Sequence, residues 1–296
     1  MTSPHLLIVD AQSLAGRAAS VAEGDPVGGA RLWCQMVRGA AMDLEATHVI
    51  AAWDHDGPTF RHVLFPSYKH RRTGTMRQRI APIREVVEST GITSVSVAEF
   101  EGDDCVASLL AQFRSTARVT LLSNDSDLLQ FVADDVTVAT YVGVGKGPRG
   151  MRVKPWTADD VQTRFGVTPA LLPAFKALCG EVGDDIPGVP NIGKETAIKL
   201  LRRWRSLEKA VEASEFVSHR DLTARLAGQQ AQVQLMLQLT TIRQDAPLPP
   251  LSLSQCAAAL IAWPGRSAAR SAVPSSEAVT RSAAGPGLDD VPFPTE

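Results

Sequence analysis

The sequence predicts an α/β protein: a central, mainly parallel sheet covered by helices, with a smaller helical subdomain after it. Three observations predict it. Three separate apolar runs of five to seven residues, rich in Val, Ile and Leu, each lead into aspartate. Helical stretches lie between them, which covers both faces of a parallel sheet. From Met151 onward the helical pattern continues with no obvious strand.

His5–Val9 reads as the first strand and runs into Asp10. Thr47–Trp53 is the second and runs into Asp54. Arg118–Leu122 is the third and leads to Asp125 and Asp127. Asp134–Val142 is a further strand, with Val136, Val138 and Thr140 alternating. Ala81–Thr90 and Asp103–Phe113 read as helices. Gly143–Gly150 carries no Walker pattern, so it reads as a connection rather than a phosphate cradle. Thr157-Ala-Asp-Asp160 resembles a capping box. Helices follow near 157–165, 169–179, 194–204 and 228–240. After Ala246, Pro, Ser and Ala dominate. Three segments are therefore expected: a core over 1–150, a helical subdomain over 151–245, and a largely disordered tail over 246–296.

Composition narrows the function. With 296 residues, 44% apolar and 21% charged, the chain is an ordinary globular protein. No run reaches the roughly 18 apolar residues of a membrane helix. Asp10 cuts short the apolar run Leu6–Val9, so it is no signal-peptide core, and a cytoplasmic protein is expected. Cys34, Cys105, Cys179 and Cys256 are far apart, which removes a zinc knuckle and fits reduced thiols.

The net charge of −2 does not announce a nucleic-acid binder, but its distribution is one-sided. No acidic residue lies between Asp56 and Glu85, while Arg61, Lys69, Arg71, Arg72, Arg77, Arg79 and Arg84 do. Phosphate contact is the expectation; a solvated basic face is the plainer alternative. Carboxylates cluster elsewhere. In a parallel sheet every strand ends on one edge, and ligands bind there. Asp10, Asp54, Asp125 and Asp127 are thus delivered to one place. Glu101-Gly-Asp103-Asp104 opens a helix, and Glu181 and Asp184 lie in a loop. If these nine converge, each close pair repels by about 4 kcal/mol at 4 Å and an effective dielectric of about 20. Divalent cations would remove that cost. Oxygen-only ligation points to Mg2+ or Mn2+ rather than zinc. Two such ions beside a basic strip suit a phosphodiesterase. Gly188-Val-Pro-Asn-Ile-Gly193-Lys194 makes a tight turn whose backbone N–H groups and following helix can take a phosphate. Lys194, Lys199, Arg202 and Arg203 stand near it in sequence.

These segments resemble, in order from about residue 5 to 245, the 5′ nucleases: the nuclease domain of bacterial DNA polymerase I, the bacteriophage 5′–3′ exonucleases and the flap endonucleases. Leu-Leu-Ile-Val-Asp10 and Ala-Trp-Asp54 look like the metal-binding strands. Phe60-Arg61-His62 and Tyr68-Lys69-His-Arg-Arg72 look like the entry to the helical arch, placed near 66–90. Glu101-Gly-Asp-Asp104, Asn124-Asp-Ser-Asp127 and Gly180-Glu-Val-Gly-Asp184 through Gly193 are similar to the remaining motifs. The resemblance implies a PIN-like core with a helix–three-turn–helix, and a Mg2+-dependent 5′–3′ exonuclease and flap endonuclease of replication or repair. It implies that Asp10, Asp54, Glu101, Asp103 and Asp104 serve mainly one metal, and Asp125, Asp127, Glu181 and Asp184 mainly the second. Lys69 and Arg72 would contact the scissile phosphate. Arg61, Arg71, Gly188, Gly193, Lys194, Lys199 and Arg202 would contact DNA, with K+ bound at the hairpin. The chain stops without a polymerase, so a stand-alone, monomeric nuclease is expected.

The chain also departs from the pattern. Glu181 stands where Asp is usual, which moves the carboxylate by roughly 1.5 Å, one carbon–carbon bond. Asp185 replaces Asn and adds charge. Ala11 and Gln12 replace Gly-Asn, and Asn191 replaces a hairpin Gly. Glu181 motivates a second reading, a catalytically weak protein that binds forked DNA. Removal of RNA from RNA–DNA primers is a third.

Overall fold

The computed structural model describes residues 4–71, 74–144, 151–218 and 221–256. Six strands form one sheet: β1 (His5–Asp10), β2 (His48–Ala52), β3 (Ser94–Val95), β4 (Arg118–Leu122), β5 (Val136–Val144) and β6 (Met151–Trp156). Their order is β3-β2-β1-β4-β5-β6. All neighbours are parallel except β5 and β6. The fold class is the expected one.

The helices are α1 (Ala11–Val21), α2 (Pro26–Asp43), α3 (Phe60–Leu64), α4 (Thr75–Glu88), α5 (Gly102–Phe113), α6 (Ala158–Phe165), α7 (Leu172–Cys179), α8 (Lys194–Trp204), α9 (Leu207–Ser214), α10 (Gln230–Thr240) and α11 (Leu253–Cys256). Alternation along β1 sorts the core into two layers. Leu7 and Val9 face α1, α2 and α4; Leu6 and Ile8 face α5 and the C-terminal helices. Trp33 and Trp53 stack at 5.7 Å in the first layer. Among the described residues no helix is long and apolar enough to cross a membrane.

Three expectations change. The sheet does not end at residue 150, because β6 pairs antiparallel with β5. Pro155 and the charged Arg152 and Lys154 hide this strand from a pattern search, as suits an edge. The later part of the region expected to form the helical arch, 66–90, is packed on the core. From Thr75 it forms α4, which buries Ile80, Ile83 and Val87 at helical spacing and packs on α1 and α2. The start of the tail is docked: Ala246 N–H donates to Ser108 Oγ at 2.9 Å, and Gln112 reaches the Leu251 carbonyl at 3.0 Å. Residues 257–296 and most of the Gly143–Gly150 loop lie outside the described residues.

Candidate metal centre and nucleic-acid interface

The carboxyl ends of β1, β2 and β4 open into a pocket of about 900 Å³. Asp10, Asp54, Glu101, Asp103 and Asp125 line it, with Lys69, Arg71 and Arg77 at its rim. Asp10 ends β1 and caps α1, accepting from Ser13 N–H at 3.0 Å. Its other oxygen accepts from Ser123 Oγ at 2.5 Å. Asp54 accepts from Gly102 N–H at 2.7 Å. A Cβ on Gly102 would lie 3.0 Å from that same oxygen, so a larger residue there would push Asp54 aside by a few tenths of an ångström.

Glu101 is the hub of the pocket. It accepts from Tyr68 OH at 2.8 Å and Lys69 Nζ at 2.7 Å, and lies 3.2 Å from Arg61. Burial alone would raise its pKa, but Lys69 and Arg61 more than offset that and hold it at about 2. Tyr68 also reaches Asp184 at 3.3 Å. Asp184 begins a second cluster with Asp127 and Glu181, whose ligand oxygens all lie within 4.8 Å of one another. Tyr68 thus links Glu101 of the pocket to Asp184 of this second cluster, which adjoins the pocket's lining. Asp125 joins them through the Asp127 N–H, 2.9 Å from its carboxylate.

Of the nine expected carboxylates, Asp10, Asp54, Glu101, Asp103 and Asp125 line the pocket, and Asp127, Glu181 and Asp184 form the adjoining cluster. Asp104 does neither. It is fully buried, and Arg61 grips both its oxygens at 2.6 and 2.9 Å. It also accepts from Glu101 N–H and Arg243 N–H. Asp104 is a structural anchor rather than a pocket carboxylate. Arg61, expected to touch DNA, is 1% exposed and belongs to the same anchor. Arg71 gives its guanidinium to Asp185 and the Val182 carbonyl. Arg77, Arg79 and Arg84 each cap main-chain carbonyls, so much of the basic strip stitches α4 down. Arg72 lies outside the described residues.

One group went unnoticed in the sequence. Lys176, 6% exposed, contacts both Asp127 and Glu181, the latter at 3.0 Å. Its only sequence signal is a lone charge in the apolar run Leu171–Cys179.

The electrostatics suit a cation. Burial pushes Asp10 up to about 7, with Asp125 and Asp54 adding to the rise. Burial and Glu101 raise Asp54; burial and Asp104 raise Asp103 strongly. Every donor is a carboxylate oxygen, which fits a hard divalent ion. A pH effect follows. A carboxylate with a raised folded pKa binds more protons in the native state than in the unfolded one. Without divalent ions, stability should rise as pH falls from 8 towards 6. Thermal melts in EDTA check this, and Asp10→Asn should flatten the slope.

The hairpin before α8 is built as expected. Gly188 has φ 74°, and a Cβ there would lie 2.5 Å from Gly180 N. Asn191 takes φ 65°, which Asn tolerates better than most residues. Gly193 caps α8. Arg225 donates to the Asn191 carbonyl at 3.0 Å and braces the turn. Lys194, Lys199 and Arg202 are exposed.

Comparison with known proteins matches this architecture. Residues 5–166 match the family described as 5′-3′ exonuclease, N-terminal resolvase-like domain, and residues 167–261 match 5′-3′ exonuclease, C-terminal SAM fold. A 5′-3′ exonuclease of Bacillus subtilis (strain 168) is 31% identical over 226 residues, 72% of this chain and 74% of that protein. DNA polymerase I of the same strain is 32% identical over 254 residues, 82% of this chain; the chain spans 28% of its length. The bacteriophage T5 flap endonuclease, solved as a pseudo-enzyme-product complex with DNA and metal ions, shares the fold. Its TM-score is 0.66 at 19% identity, over 80% of this chain and 88% of that one.

Proposed function

The chain belongs to the 5′-3′ exonuclease family, and from that premise we propose that it hydrolyses phosphodiester bonds at 5′ ends and flaps of branched DNA with two Mg2+ ions. The observation that carries this reading is a carboxylate-lined pocket at the sheet edge with a second carboxylate cluster joined to it through Tyr68 and Asp125. Asp10, Asp54, Glu101 and Asp103 would hold one ion; Asp125, Asp127, Glu181 and Asp184 would hold the other. Bound there, such ions would supply the positive charge needed to activate a water and to offset charge on the entering and leaving oxygens. Mn2+ would substitute.

The chain's own residues do the rest. Lys69, 2.7 Å from Glu101 and 3.8 Å from Asp184, would meet the scissile phosphate. Arg72 would join it. The Gly188–Gly193 hairpin and the start of α8 would take duplex phosphates, aided by Lys194, Lys199 and Arg202, with K+ at the hairpin carbonyls. The protein would work as a monomer in the cell interior, in replication or repair, on DNA flaps or RNA–DNA primers.

Single-turnover cleavage of a labelled 5′-flap duplex tests the proposal. Cleavage in Mg2+, abolished by EDTA, is expected. Lys176 favours one competing reading, a weak nuclease that mainly binds forks, because its ammonium stands between two ligands of the second ion. Cleavage in Mn2+ but not Mg2+ would support that reading instead.

A further inference from the structure

Two turns meet beside the pocket, the first of them contributing Lys69 and Arg71 to its lining. The first holds Tyr68, Lys69 and Arg71; the second holds Val182, Asp184 and Asp185. Lys69 N–H donates to the Asp184 carbonyl at 2.9 Å. Arg71 N–H donates to Asp185 Oδ2 at 2.9 Å, and its Nε donates to Asp185 Oδ1. Arg71 also donates to the Val182 carbonyl at 3.0 Å. Lys69 and Asp185 both adopt left-handed backbone, φ 50° and 58°, a region unfavourable for residues with a Cβ. The contacts hold both in it.

Resting on the function proposed above, we propose that the Arg71–Asp185 clasp is a positioning device. It locks the turn that presents Tyr68 and Lys69 onto the loop that presents Glu181 and Asp184. An isolated exposed ion pair would contribute little. This one is different because main-chain N–H groups of one turn donate to a carbonyl and a carboxylate of the other, and the Asp185 side chain is only 11% exposed. The extra negative charge of Asp185 is matched by Arg71 at the one place where it would otherwise add to a crowded pocket. Asp185 touches no reacting atom. It acts through Lys69 and Asp184.

A plain phosphate-binding role for Arg71 makes the opposite forecast. Freed by Asp185→Ala, Arg71 would then bind DNA more tightly and cleavage would not slow. The experiment compares the parent with Asp185→Ala, Arg71→Ala, the double variant and the swap Arg71→Asp/Asp185→Arg. It reads single-turnover cleavage of a 5′-flap duplex in Mg2+, affinity for that duplex in EDTA, and amide exchange at Lys69 and Arg71. Asp185→Ala should slow cleavage about tenfold, and the double variant should be no slower than Arg71→Ala. The swap should recover part of the loss. Exchange at both amides should speed up, and affinity should not rise. Parental cleavage by Asp185→Ala, losses that multiply in the double variant, or unchanged exchange would overturn the clasp. Failure of the parent to cut sinks the function proposed above, and amide exchange with DNA affinity then still decides on the clasp.

Discussion

Asp127→Asn should slow flap cleavage by about a thousandfold, roughly 4 kcal/mol of lost transition-state stabilisation, while flap binding in EDTA stays near the parental value. Asp127 lies with Glu181 and Asp184 in the second cluster and contacts Lys176. The amide keeps size and one oxygen but loses the charge that a divalent ion requires. Binding should persist because the groups proposed to hold duplex phosphates lie elsewhere, on the hairpin and α8. Lys176 keeps Glu181 as an ionised partner and can still donate to the amide oxygen, so the melting temperature of the ion-free protein should change little. A variant that cuts like the parent would remove Asp127 from the site.

Arg61→Met should destabilise the fold by about 3–5 kcal/mol, the usual cost of leaving one partner of a buried ion pair unmatched. Asp104, fully buried, would lose both guanidinium contacts, and Glu101 would lose part of what depresses its pKa. Arg61 also donates to the carbonyls of Leu239 at 3.0 Å and Thr241 at 3.3 Å. It thus ties α5 of the sheet layer to the end of α10 in the helical part. Arg61 packs its guanidinium 4.6 Å from the Phe60 ring, so the loss includes packing. Chemical denaturation measures it. The double variant Arg61→Met/Asp104→Leu should recover much of the stability, since replacing both members with apolar groups removes the unmatched charge. If the single variant is as stable as the parent, the anchor contributes nothing.

The contrast between Asp10 and Asp104 shows what a sequence can and cannot reveal here. Asp10 is legible because an apolar strand must end where it stands, and strand ends of a parallel sheet share an edge. The same logic places Asp54 and Asp125. Asp104 sits in a matching motif, yet its side chain turns inward to Arg61, a partner 43 residues away. No periodicity encodes that pairing, so Arg61 reads as one more cation in a basic strip. Lys176 is hidden for a related reason: a lysine in an apolar helix gives no hint of which carboxylates meet it. Strand β6 is concealed by charges and a proline that an edge tolerates. By contrast, the capping box of α6 is local chemistry, and Asp160 N–H donates to Thr157 Oγ1 at 3.1 Å as expected. The hairpin before α8 is local in the same way. Short-range rules survive folding; choices between distant partners are made by the assembled core.

The central claim is that two adjoining carboxylate clusters hold paired divalent ions. Calorimetric titration of the ion-free protein with Mn2+ tests it most directly. Two ions should bind to the parent, one should be lost in Asp127→Asn, and the melting temperature should climb with ion concentration. A parent that binds no ion, or whose melting temperature stays fixed across millimolar Mn2+ and Mg2+, would contradict it.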